Sequence, residues 1–289
     1  MSDQIVLGNA RKTSKTINDA FRKIVNKVIL FTNARNEKNI REWAAHHLLI
    51  GFDLIYIFDH KSNPPLNNYF KSTDKKIIVE RCEMENPVKL HLMRTASKIA
   101  TSAGADWMMY LDADEFLILN SFQNIKEMLQ AFSFADLLSI NWLMFGSNNH
   151  IREPTGLLLE NYTKSDLKLN PHVKSFVRPS QALNVATPHY YSINNPLRMI
   201  TINNKVMSSP YSFNHTNLIE YYKSHAYVAH YIYQAEETYI SRKIKLPTDD
   251  TNSFRQKDDN IHEKHNEVEN FGPKRKYSAK VFELLRGNL

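Results

Sequence analysis

Apolar and polar positions follow two rhythms over the first 120 residues. KVILFT (27–32), DLIYIFD (53–59) and KIIVERC (76–82) are short apolar runs, the pattern of strands buried on both faces. Between them, residues 40–50 repeat at helical spacing, with Trp43, Ala44, His47 and Leu48 on one face and Gly51 as the stop. Residues 88–103 do the same through Leu92, Ala96, Ile99 and Ala100, followed by Gly104. A fourth apolar run, Trp107–Leu111, meets Asp112, Asp114 and Glu115 and resumes at Phe116–Leu119. The order βαββαβ predicts an α/β fold with a mainly parallel central sheet flanked by helices.

The pattern continues less regularly. A short helix is predicted over 125–132 and a fifth strand over 137–150, running into a Gly/Ser/Asn loop. HVKSFVRP (172–179) reads as an edge strand with Lys174 and Arg178 on one face by parity, and 188–193 with 198–206 as a hairpin. Residues 225–245 are aromatic, then helical, then basic. Residues 247–275 are polar and read as a loop or lid, before a basic amphipathic tail helix. Ile17, Phe21, Ile24 and Val28 predict a leading basic helix. The expected organisation is an arm over 1–26, one domain over 27–246, and the loop with its terminal helix over 247–289.

Composition narrows the classes. With 289 residues, 42% of them hydrophobic, the chain can bury a sizeable core. The net charge of +7 suits an anionic substrate or an anionic membrane surface. Its basic residues are not interleaved with aromatics, which disfavours nucleic acid. One cysteine, Cys82, no apolar run near the roughly 20 residues of a membrane helix, and no secretory leader together predict a cytoplasmic protein. Basic amphipathic ends add an expected peripheral contact with the inner face of an anionic membrane.

In such sheets ligands bind beyond the carboxyl ends of the strands. Asn33, Arg35, Asn36 and Glu37 fall there after the first strand, Asp59 and Ser62 after the second, and the acidic cluster after the fourth. Residues two apart in a strand point the same way, so Asp112 and Asp114 would project together, with small Ala113 between them. A hard divalent cation, Mg²⁺ or Mn²⁺, relieves their repulsion and leaves positions for a diphosphate. The alternative is a solvated acidic turn. Asp59 suits either hydrogen bonds from a base or ribose or the capping of a turn, Arg94 either a phosphate or water, and Trp142 with Phe145 either a sugar ring or the core. Glu160, within the apolar GLLLENY, suits either a general base or a helix-surface position facing water. His230 is either structural or a ligand of metal or phosphate. GxGxxG, GxxxxGK[ST], GxSxG and HExxH are all absent, which disfavours those enzyme classes.

Taken in order, IREWAAHHLLIGFDLIYIFDHKSN, WMMYLDADEF, INWLMFGSNNH, GLLLENY, HVKSFVRP and HYIYQAEETY resemble the GT-A glycosyltransferases of the family 2 and family 92 type. The resemblance implies a GT-A fold, with a Rossmann-like nucleotide-binding half and an acceptor-binding half. It implies metal-dependent, inverting transfer from a nucleotide-sugar. Asp112 and Asp114 match the family's DxD, bridging Mn²⁺ or Mg²⁺ to the donor diphosphate, and His230 matches a further metal or phosphate contact. Asn33–Glu37 and Asp59 match nucleotide-cradling segments. Where such sequences carry a Lys-Ser pair after HY, this chain has Gln234-Ala235, so Arg242, Lys243 or Lys245 is expected to supply the phosphate contact.

The expected mechanism is direct displacement at the anomeric carbon, with Glu160 as base and Glu153 or Glu115 as rivals. The expected donor is a UDP-hexose, galactose or glucose. The expected acceptor is a glycan or lipid-linked hydroxyl, as in lipopolysaccharide or capsule synthesis. A phosphohydrolase and an inactive sugar-nucleotide-binding module are the competing classes. Asp112→Asn is expected to abolish transfer and leave folding near normal.

Overall fold

A computed structural model describes residues 25–70 and 75–287. The expected leading helix therefore lies outside the described residues, apart from Val28, which opens the first strand. In chain order the first half comprises β1 (Val28–Ala34), α1 (Ile40–Leu49), β2 (Leu54–His60), β3 (Ile77–Cys82), α2 (Lys89–Ser102), β4 (Trp107–Tyr110) and β5 (Glu115–Leu119). Then come α3 (Ile125–Ala131), β6 (Leu137–Met144), α4 (Leu158–Asn161), β7 (Lys164–Ser165), β8 (Asn170–Val177), β9 (Ala182–Thr187), β10 (Tyr190–Ile193), β11 (Met199–Thr201) and β12 (Ala226–His230). The C-terminal part holds α5 (Glu236–Tyr239), a π-helical turn (Ile240–Ile244), β13 (Val268–Glu269) and α6 (Gly272–Gly287).

The central sheet runs β3-β2-β1-β4-β8-β6-β12-β5, with β11 also on β6. Its first four strands are parallel, as the alternation of strands and helices predicts. β1 shows why its sequence is continuously apolar. Val28 and Leu30 enter one core, where α1, α3 and α6 pack; Ile29 and Phe31 enter the other, with α2 and the β9–β10 hairpin. Gly51 adopts φ +108° just past α1, a conformation that ends a helix without the strain of a side chain.

Four expectations are corrected. The acidic run is not one strand: β4 stops at Tyr110, residues 111–114 turn, and β5 pairs antiparallel with β12 at the far end of the sheet. β4 and β5 lie four places apart, about 19 Å in a flat sheet. The five steps from Tyr110 to Glu115 reach at most about 17 Å, so the sheet has to curl, and the turn sits across its opening. Second, β8 is not an edge strand; it runs between β4 and β6, antiparallel to both. Third, the hairpin pairs β9 with β10, while β11 lies parallel on β6. Fourth, the fifth strand ends at Met144, short of the expected His150. The tail helix forms, but its apolar side is docked: Tyr277 and Val281 are buried in the core.

Candidate active site

The turn between β4 and β5 is pinned from four directions. Leu111 N–H donates to Phe31 O, extending the β1 pairing, and Glu115 N–H closes the turn on Asp112 O at 3.0 Å. Asp112 N–H donates to Glu115 Oε2 at 2.9 Å, and Tyr231 N–H, just past β12, donates to Asp114 O at 2.9 Å. Asp112 and Asp114 consequently face one cleft of about 360 Å³ at the carboxyl ends of β1 and β4. They share it because of a pinned turn rather than by strand parity.

Six cationic side chains line this cleft (Arg35, Lys89, Lys174, Arg242, Lys243, Arg255) against five carboxylates (Glu37, Asp112, Asp114, Asp249, Asp250). Lys89 bridges to Asp112 Oδ1, and Lys174 reaches Oδ2 at 3.2 Å. Lys243 bridges to Asp114 Oδ2, with Arg242 3.9 Å from the same oxygen and His230 Nε2 3.8 Å from Oδ1. Arg242 also pairs with buried Glu37. Burial alone would raise both aspartates. The surrounding cations outweigh it, Lys174 and Lys89 holding Asp112 well below the usual carboxylate range and Lys243 lowering Asp114. Glu115 behaves oppositely: burial pushes it up to about 8, and its Oε1 has no partner among the described residues.

The structure brings together Asn33, Arg35, Glu37, Asp112, Ala113, Asp114, His230 and Lys243 from the expected set. Arg242, also expected, lines it too, as does Trp142, while Lys245 does not; Lys89, Lys174, His189, Asp249 and Arg255 are additions. Asp249 comes from the polar loop and crosses the strand ends, accepting from Asn33 Nδ2 at 2.6 Å. Its O accepts from the N–H groups of Val88 and Lys89 at the start of α2.

Several expected residues lie elsewhere. Asp59 accepts from Ser62 N, Leu66 N and Arg81 Nη1, so both its oxygens hold a turn rather than a nucleotide. Ser62 Oγ accepts from Asn36 N in the same turn. Arg94 does not line the cleft; it donates to Asn184 Oδ1 and Val185 O of β9. Phe145 is fully buried in the core. Glu160 stands half-buried on α4 beside Gly156, away from the cleft. Glu115 lies behind the cleft wall. Glu153 lines a second pocket next to the cleft, where it accepts from the hydroxyls of Tyr162 at 3.1 Å and of Thr238. A basic side chain near the aspartates was legible at Lys243. Lys89 and Lys174 carried no local signal, since both read as ordinary element positions.

The model for glycosyltransferase family 92 matches residues 29–269, most of the chain. The chain belongs to glycosyltransferase family 92. That makes it a glycosyltransferase, an enzyme that takes a sugar from a donor to an acceptor, and displaces the phosphohydrolase and binding-module readings. No curated protein matches the chain. Among solved structures, apo-UDP-glucose pyrophosphorylase is similar at 12% identity over 91% of this chain and 99% of that one, with a TM-score of 0.29. A likeness that distant carries no argument.

Whether this family 92 cleft suits a divalent ion can be tested on its donor atoms. Two carboxylates and an imidazole are a set that Mn²⁺ or Mg²⁺ accepts. Burial holds His230 down to about 3, so its ring is neutral and has a lone pair to give. Its Nδ1 is buried without a partner among the described residues, and so lacks the outer hydrogen bond that usually orients a ligating histidine. Among the described residues no group of three or more His, Cys, Asp or Glu is placed to hold an ion. Asp112, Asp114 and His230 suit the ion by donor type alone, and Lys89, Lys174 and Lys243 pair with the aspartate oxygens.

Proposed function

We propose that the cleft binds a nucleotide-sugar, with a UDP-hexose as the first candidate, and that the enzyme is of GT-A type and inverts the anomeric centre. One observation carries this reading: in a family 92 chain, the paired Asp112 and Asp114 share a single cleft with Lys89, Lys174, Arg242 and Lys243. The six cations and five carboxylates of the cleft nearly cancel. A diphosphate entering it can take the ammonium and guanidinium groups as charge-assisted donors. Asn33 and Arg35, on the far side, would then meet the nucleoside, with the loop around Asp249 moving aside or closing over it.

A divalent cation held by Asp112, Asp114 and His230 would neutralise charge on the departing nucleoside diphosphate. Lys243 and Arg242 act on the same charge from the π-helical turn. In the transfer, an acceptor hydroxyl oxygen bonds to the anomeric carbon as the carbon–oxygen bond to the diphosphate breaks. The hydroxyl proton passes to a carboxylate. Glu153 replaces Glu160 as our candidate for this base, since it lines the adjoining pocket and already accepts from two hydroxyls. The acceptor is a hydroxyl of a glycan. The membrane-surface argument for a lipid-linked acceptor loses its C-terminal support, because the buried side of α6 is taken up by the domain itself. Among the described residues no helix is long and apolar enough to cross a membrane.

The test is a thermal-shift screen of nucleotide-sugars with Mn²⁺, Mg²⁺ or EDTA, combined with slow donor hydrolysis. A UDP-hexose should raise the Tm more with metal than with EDTA, and release UDP. Lack of a shift with every nucleotide-sugar would sink the donor reading; an equal shift and turnover in EDTA would remove the metal from it.

A further inference from the structure

The second pocket, about 320 Å³, shares Glu37, Arg242 and Leu246 with the cleft, so the two spaces meet at one wall. Their chemistry differs. The cleft is lined by charged groups of both signs, six cations against five carboxylates. The second pocket pairs Arg242 with Glu37 and has Lys38 and Glu153 in its lining, and its other polar lining is amide and hydroxyl: Asn36, Asn39, Asn63, Gln234, Thr238 and Ser241.

Gln234 is the unusual member. It is 1% exposed, yet neither its Oε1 nor its Nε2 has a hydrogen-bond partner among the described residues. Its backbone is in the left-handed region at φ +54°, which a glutamine adopts only at some strain. A buried amide with two unmade hydrogen bonds is destabilising, and such groups persist where a ligand completes them. One donor and one acceptor side by side match two neighbouring hydroxyls of a sugar ring, each able to give and receive. The pocket lies at the lower end of the size range for small-molecule sites, which suits a single ring.

We propose that this pocket is the acceptor subsite and takes a neutral pyranose ring, read by the Gln234 amide, beside the Glu153 carboxylate. This rests on the transferase reading above. It explains why an uncompensated polar group lies next to a cleft whose own charges are matched. Gln234 is a specificity residue: its amide touches the acceptor and takes no part in donor binding.

The experiment uses the full chain and, as probes, the methyl glycosides of galactose, glucose, mannose, fucose and N-acetylglucosamine. Saturation-transfer NMR would be recorded on wild type and on Gln234→Met, which keeps the side chain's shape and removes both polar atoms. At least one glycoside should bind wild type. Its signal should fall at least 10-fold in Gln234→Met, while that variant keeps the wild-type thermal shift with UDP-hexose and an equal or higher Tm. Donor binding with no glycoside signal in wild type would overturn the subsite and leave the donor reading intact. So would equal glycoside signals in the two proteins. Loss of donor binding in wild type itself would instead defeat the reading beneath it. The wild-type arm stands even if the variant does not fold.

Discussion

Asp112 shares its carboxylate between Lys89 and Lys174, and Lys174 is 1% exposed. That arrangement changes what an Asp112 substitution should do. Asp112→Asn removes the charged partner of a buried ammonium, and Lys174 then keeps Pro188 O at 3.2 Å and Glu115 Oε2 at 3.4 Å. Breaking a fully buried pair typically costs roughly 3–5 kcal/mol. Asp112 is partly exposed, and Glu115 can ionise in its place, so the loss should be smaller but visible as a lowered urea midpoint. Transfer should fall by about 100-fold or more, the scale seen when a group acting on developing charge is removed. Initial rates and urea unfolding of the same preparation check both; an Asp112→Asn enzyme of wild-type rate would end the role given to this residue. The expectation of near-normal folding is thus revised by a lysine whose burial the sequence did not announce.

At the scale of elements, β5 is the last strand of the sheet and owes part of its pairing to α6. Tyr277 Oη accepts from Leu119 N at 3.2 Å, supplying at the strand's end a partner that the sheet does not. Tyr277→Phe should leave that N–H unmatched in a buried position and cost about 1–3 kcal/mol, read from denaturant unfolding. An unchanged midpoint would mean that water reaches the strand end. A similar cross-element device holds α4. Glu42 on α1 accepts from Leu158 N at 2.6 Å and from Leu159 N at 2.9 Å, capping the start of that short helix from outside. α6 then packs on both α1 and α4, so the C-terminal helix closes a unit begun near residue 40.

Across the whole molecule, the buried titratable groups set a dependence of stability on pH. Burial holds His46 down to about 4, His47 well below its usual value, His189 to about 4 and His230 to about 3. Below pH 6.5 the unfolded chain therefore binds protons at four imidazoles that the native state refuses, and stability falls as pH falls. Burial pushes Glu42 up to about 7 and Glu115 up to about 8. Between about 4.5 and those values the native state holds two protons that the unfolded chain has released, so these two groups favour the fold as pH falls. Burial also lowers His172 and raises Glu37. In EDTA, the Tm should rise slightly from pH 8 toward 6.5 and then decline as the five imidazoles outweigh the three carboxyls. A Tm that climbs steadily down to pH 5 would contradict the buried, neutral histidines.

What the sequence determined by itself was mostly local. Apolar runs and helical spacing placed β1 to β4 with α1 and α2 nearly to the residue, because strand and helix periods are written in neighbouring positions. Asp112 and Asp114 were legible as a pair, since three carboxylates in an apolar run demand an explanation. Only tertiary structure decided the rest. It made β8 central rather than an edge, split the acidic run between two strands, and sent Asp59 and Arg94 into bonds away from the cleft. It also brought Lys89, Lys174 and Asp249 to the cleft of the aspartates from 23 to 137 positions away along the chain, and left Gln234 buried in the adjoining pocket. The reason is physical: which charges face one another depends on how a sheet curls, and sheet curvature is a property of long-range pairing that no short stretch of sequence carries.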